Sequence, residues 1–201
     1  MKEVINHYDN LIDENNDPVR DVQELKDYMD KWDGQLFTDE LQLSQEKSIL
    51  EIGVGSGRIA VKVCGLCKIF TGIDISSKTI ERASENLKEF NNVNLVCGDF
   101  LTCDFNEKFD VIYSTLTFMH IQDKHAAMKN VMNLLDDKGR FVLSIDKNNN
   151  DIIDYGTRII KIYPDSVENI TNCIDKTGLS IIKQFETEFA HIFVSVKEDT
   201  E

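Results

Sequence analysis

The chain has 201 residues, 41% of them apolar and 29% charged, the balance of an ordinary soluble protein with room for one real core. Its 22 basic and 36 acidic residues leave a formal charge of -14, which repels phosphate backbones and argues against an RNA or DNA substrate. No apolar run approaches the ~20 residues of a membrane helix, and the opening MKEVINHYDN lacks a signal-peptide core. A cytoplasmic protein with reduced thiols, no nucleic acid partner and no membrane partner is therefore expected.

Residues 1–45 are rich in Asp, Glu and Asn, with apolar side chains at Leu25, Tyr28, Met29, Trp32, Leu36 and Phe37. They read as one or two amphipathic helices laid over the edge of a sheet. Strands are then predicted over 48–54, 69–75, 93–97, 109–114 and 140–145. The helix predicted over 77–90 carries Ile80, Ala83, Leu87 and Phe90 on one face, and that over 121–135 carries Met128, Val131 and Leu135. Gly139 should break the chain before the next strand. Strands alternating with helices imply crossovers, hence a mainly parallel sheet with helices on both faces.

The C-terminal part changes rhythm. A helix is predicted over 165–176, with Asp165 as N-cap, Glu168 three residues on and Gly178 at its stop. Strand-like runs follow over 179–188 and 191–197, so closely spaced that only an antiparallel hairpin can join them. The α/β fold expected is a seven-stranded sheet with an antiparallel last strand. It forms one domain over 1–201: a helical cap over 1–45 and an α/β core over 46–201, with residues 197–201 frayed.

Cys64 and Cys67 form CGLC, but at the end of a predicted helix rather than its start, and no second ligand pair for a metal is present. They read as half-buried cysteines in a turn, and no metal site is expected.

The stretch ILEIGVGSGRIAV, residues 49–61, is the informative one. The loop follows a strand and opens a helix, so it offers close backbone approach and free N–H groups to a nucleotide-type cofactor. A dinucleotide loop wants G-x-G-x-x-G, and its third glycine would fall where Arg58 stands; the spacing here is G-x-G-x-G. Glu51, two residues before Gly53, would repel a pyrophosphate but suits a cationic group such as an α-ammonium.

At EIGVGSG the chain resembles the first motif of class I S-adenosylmethionine-dependent methyltransferases, small-molecule type, and the resemblance runs from about Ser48 to Lys197. It implies a Rossmann-like fold and S-adenosyl-L-methionine as cofactor. Glu51 would hold the amino acid part, and Gly53, Gly55 and Gly57 would make room for it. In GIDIS, Asp74 would accept hydrogen bonds from the ribose hydroxyls and Ile75 would pack on adenine; a helix-capping aspartate is the alternative. In CGDF, Asp99 and the Phe100 backbone would meet the adenine edge, against the alternative of a simple turn. In FDVIYSTLTFMHI, backbone near Ser114 and Thr115 would meet the ammonium. The D/N-P-P-Y and Pro-Cys motifs of base-modifying members are absent, which agrees with the acidic charge.

Methyl transfer from a sulfonium needs alignment and exclusion of water, and a base only where the acceptor must lose a proton. His120 is the candidate base, with a structural histidine as the alternative. Tyr8, in a cap segment that resembles those closing over the cofactor, would seal the methionine end or merely pack. Arg158 would bind an acceptor carboxylate or phosphate, or stand as a solvated charge. Trp32 would line the pocket or anchor the cap. His125 reads as a surface residue and His191 as structural.

The expected function is transfer of a methyl group to a small-molecule acceptor by a monomer or homodimer. The alternatives are a protein or RNA methyltransferase and a non-catalytic cofactor-binding protein. An NAD-dependent oxidoreductase is disfavoured by Arg58 and leaves Asp99 without a role.

Overall fold

The structure, a computed structural model, describes residues 2–198; of the tail expected to fray, residues 199–201 lie outside it. Three helices come first: α1 (Lys2–Asp13), α2 (Gln23–Met29) and α3 (Gly34–Glu40). Next are β1 (Ser48–Ile52), α4 (Ala60–Val63), β2 (Ile69–Asp74), α5 (Ser77–Asn86), β3 (Val93–Cys97) and β4 (Phe109–Thr115). Beyond a 3-10 turn (Phe118–His120) lie α6 (Lys124–Leu134), β5 (Leu135–Asp146), β6 (Ile152–Asp154) and β7 (Ile159–Lys161). The chain ends with α7 (Val167–Asp175), β8 (Leu179–Glu186) and β9 (Ala190–Lys197).

Seven strands form the main sheet in the order β3-β2-β1-β4-β5-β9-β8. The first five run parallel, and β9 runs antiparallel to both β5 and β8. The last strand is therefore interior, and the outer position falls to β8, whose exposed Lys183 and Gln184 keep that edge polar. The central strands read as apolar runs because both faces are covered. Alternation divides them: Ile49, Val111, Tyr113 and Val142 pack with Phe37, Ala60, Val63 and Leu87 on one side. Leu50, Ile112, Phe141 and Leu143 pack with Met128, Val131, Ile170 and Ile174 on the other.

Several elements depart from the sequence reading. The cap has three helices: α1 lies over the carboxyl edge, packed on α5 and β7, and α2 reaches it with Met29 at the cavity and Trp32, just beyond the helix, on Asp146. Leu25, Tyr28 and Leu36 are 50%, 48% and 62% exposed, so the apolar stripe predicted for the cap is only partly turned inward. The helix predicted over 77–90 ends at Asn86. The helix predicted over 121–135 begins at Lys124, because the Asp123 side chain caps it by accepting from Ala126 N at 2.9 Å. Gly139 does not break the chain; β5 already starts at Leu135 and absorbs an irregularity in its pairing with β4. Ser166, not Asp165, caps α7 by accepting from Asn169 N at 3.1 Å. Asp165 is buried and engages Lys124 instead. The small β6–β7 hairpin carries no strong periodicity and was not foreseen.

Strand order reverses between β1 and β4: the chain leaves β1 toward β2 and leaves β4 toward β5. A crevice opens at the carboxyl ends of two strands where their connections diverge. Every candidate residue is placed relative to that crevice.

Candidate active site

A cavity of about 1180 Å³ occupies the crevice, floored by the ends of β1, β2 and β4 and roofed by α1. Glu51 lies at its base and is only 2% exposed. It pairs in register with Tyr113 on β4, and the Tyr113 hydroxyl donates to Glu51 Oε2 at 2.9 Å. Burial pushes the Glu51 carboxyl up to about 8, helped by the nearby Asp33 and Asp74 and opposed by the Tyr113 hydrogen bond and Arg58. A carboxyl in this state gains from an arriving cation, which would restore its charge.

The glycine loop turns where β1 ends. Gly53 has φ of +79°, and a Cβ there would fall 1.9 Å from Thr117 Oγ1, so the loop and the β4 exit can approach only with glycine. Gly55 has φ of +54°, lines the cavity and has open space where a Cβ would stand. Its N–H donates to Asp74 Oδ2 at 3.0 Å. Gly57 does not line the cavity; it faces the Leu87 side chain. The expected helix after the loop is one turn, Ala60–Val63, continued by a 3-10 turn, so its dipole adds little at the ligand.

Asp74 closes β2 at the cavity wall. Burial raises its pKa, against hydrogen bonds from Ser76 N, Gly55 N and the Thr79 hydroxyl. The cap of α5 is Ser76, which accepts from Thr79 N at 3.1 Å, so Asp74 is not spent as a helix cap. Ile75, Asp99 and Phe100 also line the cavity. One Asp99 oxygen accepts from Leu101 N at 2.9 Å, so the simple-turn role is present beside its place on the wall.

At the β4 exit, Thr115 faces the cavity, whereas Ser114 is fully buried and donates to Ile52 O at 2.9 Å. Leu116 follows with φ of +54°, a conformation L side chains adopt only where surroundings enforce it. That kink sends the chain into the 3-10 turn ending at His120.

His120 lines the cavity, and its Nε2 lies 2.8 Å from the Tyr8 hydroxyl on α1. Burial lowers the imidazole to about 4, with His7 and Lys124 adding to the effect. Burial likewise raises the Tyr8 phenol far above its ordinary value. Next to this pair, Arg158 donates to His7 Nδ1 at 2.8 Å and to both Glu14 oxygens at 2.5 and 2.9 Å. Arg158 is therefore neither an open anion site nor a solvated charge; it ties the β6–β7 turn to α1. Trp32 anchors rather than lines, donating to Asp146 Oδ2 at 3.1 Å. His125 is exposed at the cavity wall, and His191 pairs with Glu186 on the hairpin.

Two supports were missed from sequence. Asp33 grips Arg58 with both oxygens, one at 3.0 Å, and so fastens the α2–α3 turn to the glycine loop. Lys124, 6% exposed, donates to the carbonyls of Phe118 and Tyr163, the latter at 2.9 Å, and pairs with Asp165 at 2.8 Å. It holds the turn that carries His120. Asp33 and Lys124 sit in charged stretches that look solvated, and no local signal marks them. Cys64 and Cys67 are free and buried, and burial pushes Cys67 to about 11, as inert thiols require. Among the described residues no cluster could hold a metal and no helix is long and apolar enough to cross a membrane.

Comparison with known proteins agrees with this geometry. Residues 50–143 match a family model described as a methyltransferase domain. An uncharacterized methyltransferase of Bacillus licheniformis is 31% identical over 150 residues, covering 71% of this chain and 67% of that protein. A malonyl-[acyl-carrier protein] O-methyltransferase of Priestia megaterium is 34% identical over 106 residues, covering 50% of this chain but only 37% of its own length. A crystal structure of an S-adenosylmethionine-dependent methyltransferase from Clostridium acetobutylicum superimposes with a TM-score of 0.71 at 16% identity, covering 98% and 99% of the two chains. That last likeness is one of fold.

Proposed function

Because this chain belongs to the S-adenosylmethionine-dependent methyltransferases, we propose that it transfers the cofactor's methyl group to a small-molecule acceptor inside the α1-roofed cavity. The carrying observation is Glu51. It is a buried carboxyl held partly protonated at the floor of the crevice, where an α-ammonium would gain an ion pair. Asp74 takes the ribose hydroxyls, Ile75 packs on the adenine face, and Asp99 and the Phe100 backbone take the adenine edge. Gly53 and Gly55 keep the floor low, and Thr115 lines the same cavity from the end of β4. Gly57 and Ser114 act behind the wall by packing and by bracing Ile52. Bound S-adenosylmethionine supplies a methyl on sulfonium, already activated for in-line displacement.

The cavity supports the small-molecule reading. At about 1180 Å³ it exceeds the usual 300–1,000 Å³ of a ligand site and leaves room beside a cofactor. The cations Arg58, Lys124 and Arg158 are engaged by Asp33, Asp165 and Glu14, which leaves them poorly placed to track a phosphate backbone. The chain is read as a single methyltransferase domain with its cap supplied by α1 to α3, acting in the cytoplasm as a monomer or homodimer.

Incubation with methyl-labelled S-adenosylmethionine and a metabolite extract, an RNA pool and a protein pool tests the reading. Label should accumulate in the metabolite fraction. Label confined to RNA or protein would overturn it.

A further inference from the structure

The part of the cavity around the Tyr8–His120 pair has a particular chemistry. Its wall is apolar and aromatic: Val4 and Leu11 from α1, Met119, Ile153, Tyr155 and Tyr163. The two cations that border the pair are already committed, Lys124 to Asp165 and two carbonyls, and Arg158 to Glu14 and His7, whereas Lys161 lies over the Tyr163 ring and Lys176 lines the cavity from the end of α7. A carboxylate or phosphate held against Tyr8 would find these two counter-charges, Lys124 and Arg158, taken. The polar feature facing this wall is the Tyr8 hydroxyl, 2.8 Å from His120 Nε2.

Resting on the methyltransferase reading, we propose that Tyr8 is a catalytic proton relay for a neutral hydroxyl acceptor with an apolar or aromatic body. The acceptor hydroxyl donates to Tyr8 Oη, and Tyr8 donates its own proton to His120 Nε2. As the acceptor oxygen bonds to the methyl carbon, the carbon–sulfur bond breaks and its electron pair goes to sulfur. The acceptor's proton passes to Tyr8 Oη while the Tyr8 proton passes to His120, leaving a neutral ether, a neutral tyrosine and an imidazolium. Solvent later takes the imidazolium proton.

The geometry sets these directions. His120 Nε2 is the nitrogen that Tyr8 reaches, and His120 Nδ1 is buried with no hydrogen-bond partner among the described residues, so an acceptor meets the imidazole only through Tyr8. A phenol held far above its ordinary pKa keeps its proton and relays rather than acting as a phenolate base. The weakly basic imidazole also sorts acceptors. A methylated hydroxyl becomes a strongly acidic oxonium unless its proton leaves, so a weak base suffices. A methylated amine becomes a stable ammonium and needs no base in the step, so a proton relay has a role only for the hydroxyl acceptor.

The test uses the full chain, wild type and Tyr8→Phe, with three measurements: S-adenosylhomocysteine affinity, binding of naphthalene probes to the S-adenosylhomocysteine complex, and labelled methyl transfer to 2-naphthol. The wild type should bind 2-naphthol at least about tenfold more tightly than 2-naphthoate or 2-naphthylmethylamine. Tyr8→Phe should keep S-adenosylhomocysteine affinity within about twofold and lose about 100-fold in kcat for 2-naphthol. His120→Asn should lose a similar factor, and the double variant little more, because the two act as one unit. Equal or tighter binding of 2-naphthoate, no methylation of 2-naphthol, or a Tyr8→Phe loss in cofactor affinity matching its loss in rate would overturn the relay. The last of these outcomes would make Tyr8 a cofactor seal. Failure of the wild type to bind S-adenosylhomocysteine would instead fall on the cofactor reading itself.

Discussion

The Tyr113 hydroxyl donates a 2.9 Å hydrogen bond to Glu51 Oε2 across the β1–β4 pair, at the floor of the cavity. Among the described residues it is the hydrogen-bond donor to a carboxyl that burial holds at about 8. Two pH effects follow, one on binding and one on stability.

An α-ammonium beside Glu51 stabilises its ionised form, so binding releases a proton below pH 8. Affinity for S-adenosylhomocysteine should rise by up to about tenfold per unit between pH 6 and 8 and then level off. Glu51→Gln should flatten the profile and weaken binding at pH 8. Calorimetry in buffers of different ionisation enthalpy counts the proton directly; a wild-type profile as flat as the variant's would remove Glu51 from the ammonium site.

Folding raises Glu51 from its ordinary 4.5 to about 8, so the native protein binds a proton that the unfolded chain has lost over that window. Its contribution is neutral below pH 4.5 and grows destabilising as pH rises toward 8, at up to about 1.4 kcal/mol per unit. Glu51→Gln, which cannot ionise, should therefore gain stability over the wild type steadily from pH 5 to 8 without ligand. Denaturant melts at several pH values check this, and a constant difference would contradict it.

How much was legible in the sequence follows from how local each signal is. Gly53 and Gly55 were readable because a sharp turn with positive φ has few other solutions. Asp74 ends β2 and Asp99 lies two residues beyond β3, so their place at the carboxyl edge followed from topology. Ser114 and Thr115 are adjacent, and strand alternation sends only Thr115 to the cavity, a choice that motif spacing could not make. Tyr8 and His120 were both singled out, but their pairing joins positions 112 residues apart. Asp165 looked like a helix cap because it precedes a capping-box pattern; the buried Lys124 claims it, and Ser166 takes the cap.

Gly53→Ala should be severe, since its Cβ would sit 1.9 Å from Thr117 Oγ1 and the residue would be held at φ of +79°. A loss of about 1–3 kcal/mol is expected from backbone strain alone, with the clash added to it. Thr117→Ala in the same chain should recover part of the loss by removing the two nearer side-chain contacts beyond Cβ. Urea melts of the single and double variants measure the recovery, and its absence would mean that Thr117 is not the obstacle.

Lys124→Met removes one partner of a buried ion pair and leaves Asp165 without its counter-charge. The expected cost is about 3–5 kcal/mol. Asp165→Asn added to Lys124→Met should restore part of it, because the remaining buried group is neutral. A double variant less stable than Lys124→Met would show that Asp165 serves another partner.

Calorimetric titration of the full chain with S-adenosylhomocysteine, with NAD in parallel, is the most direct measurement of the central claim that the Glu51–Asp74 crevice is an S-adenosylmethionine site. Saturable binding of S-adenosylhomocysteine, weakened in Asp74→Ala by about 1–3 kcal/mol, with none of NAD, is predicted. Binding of NAD and not of S-adenosylhomocysteine would contradict it.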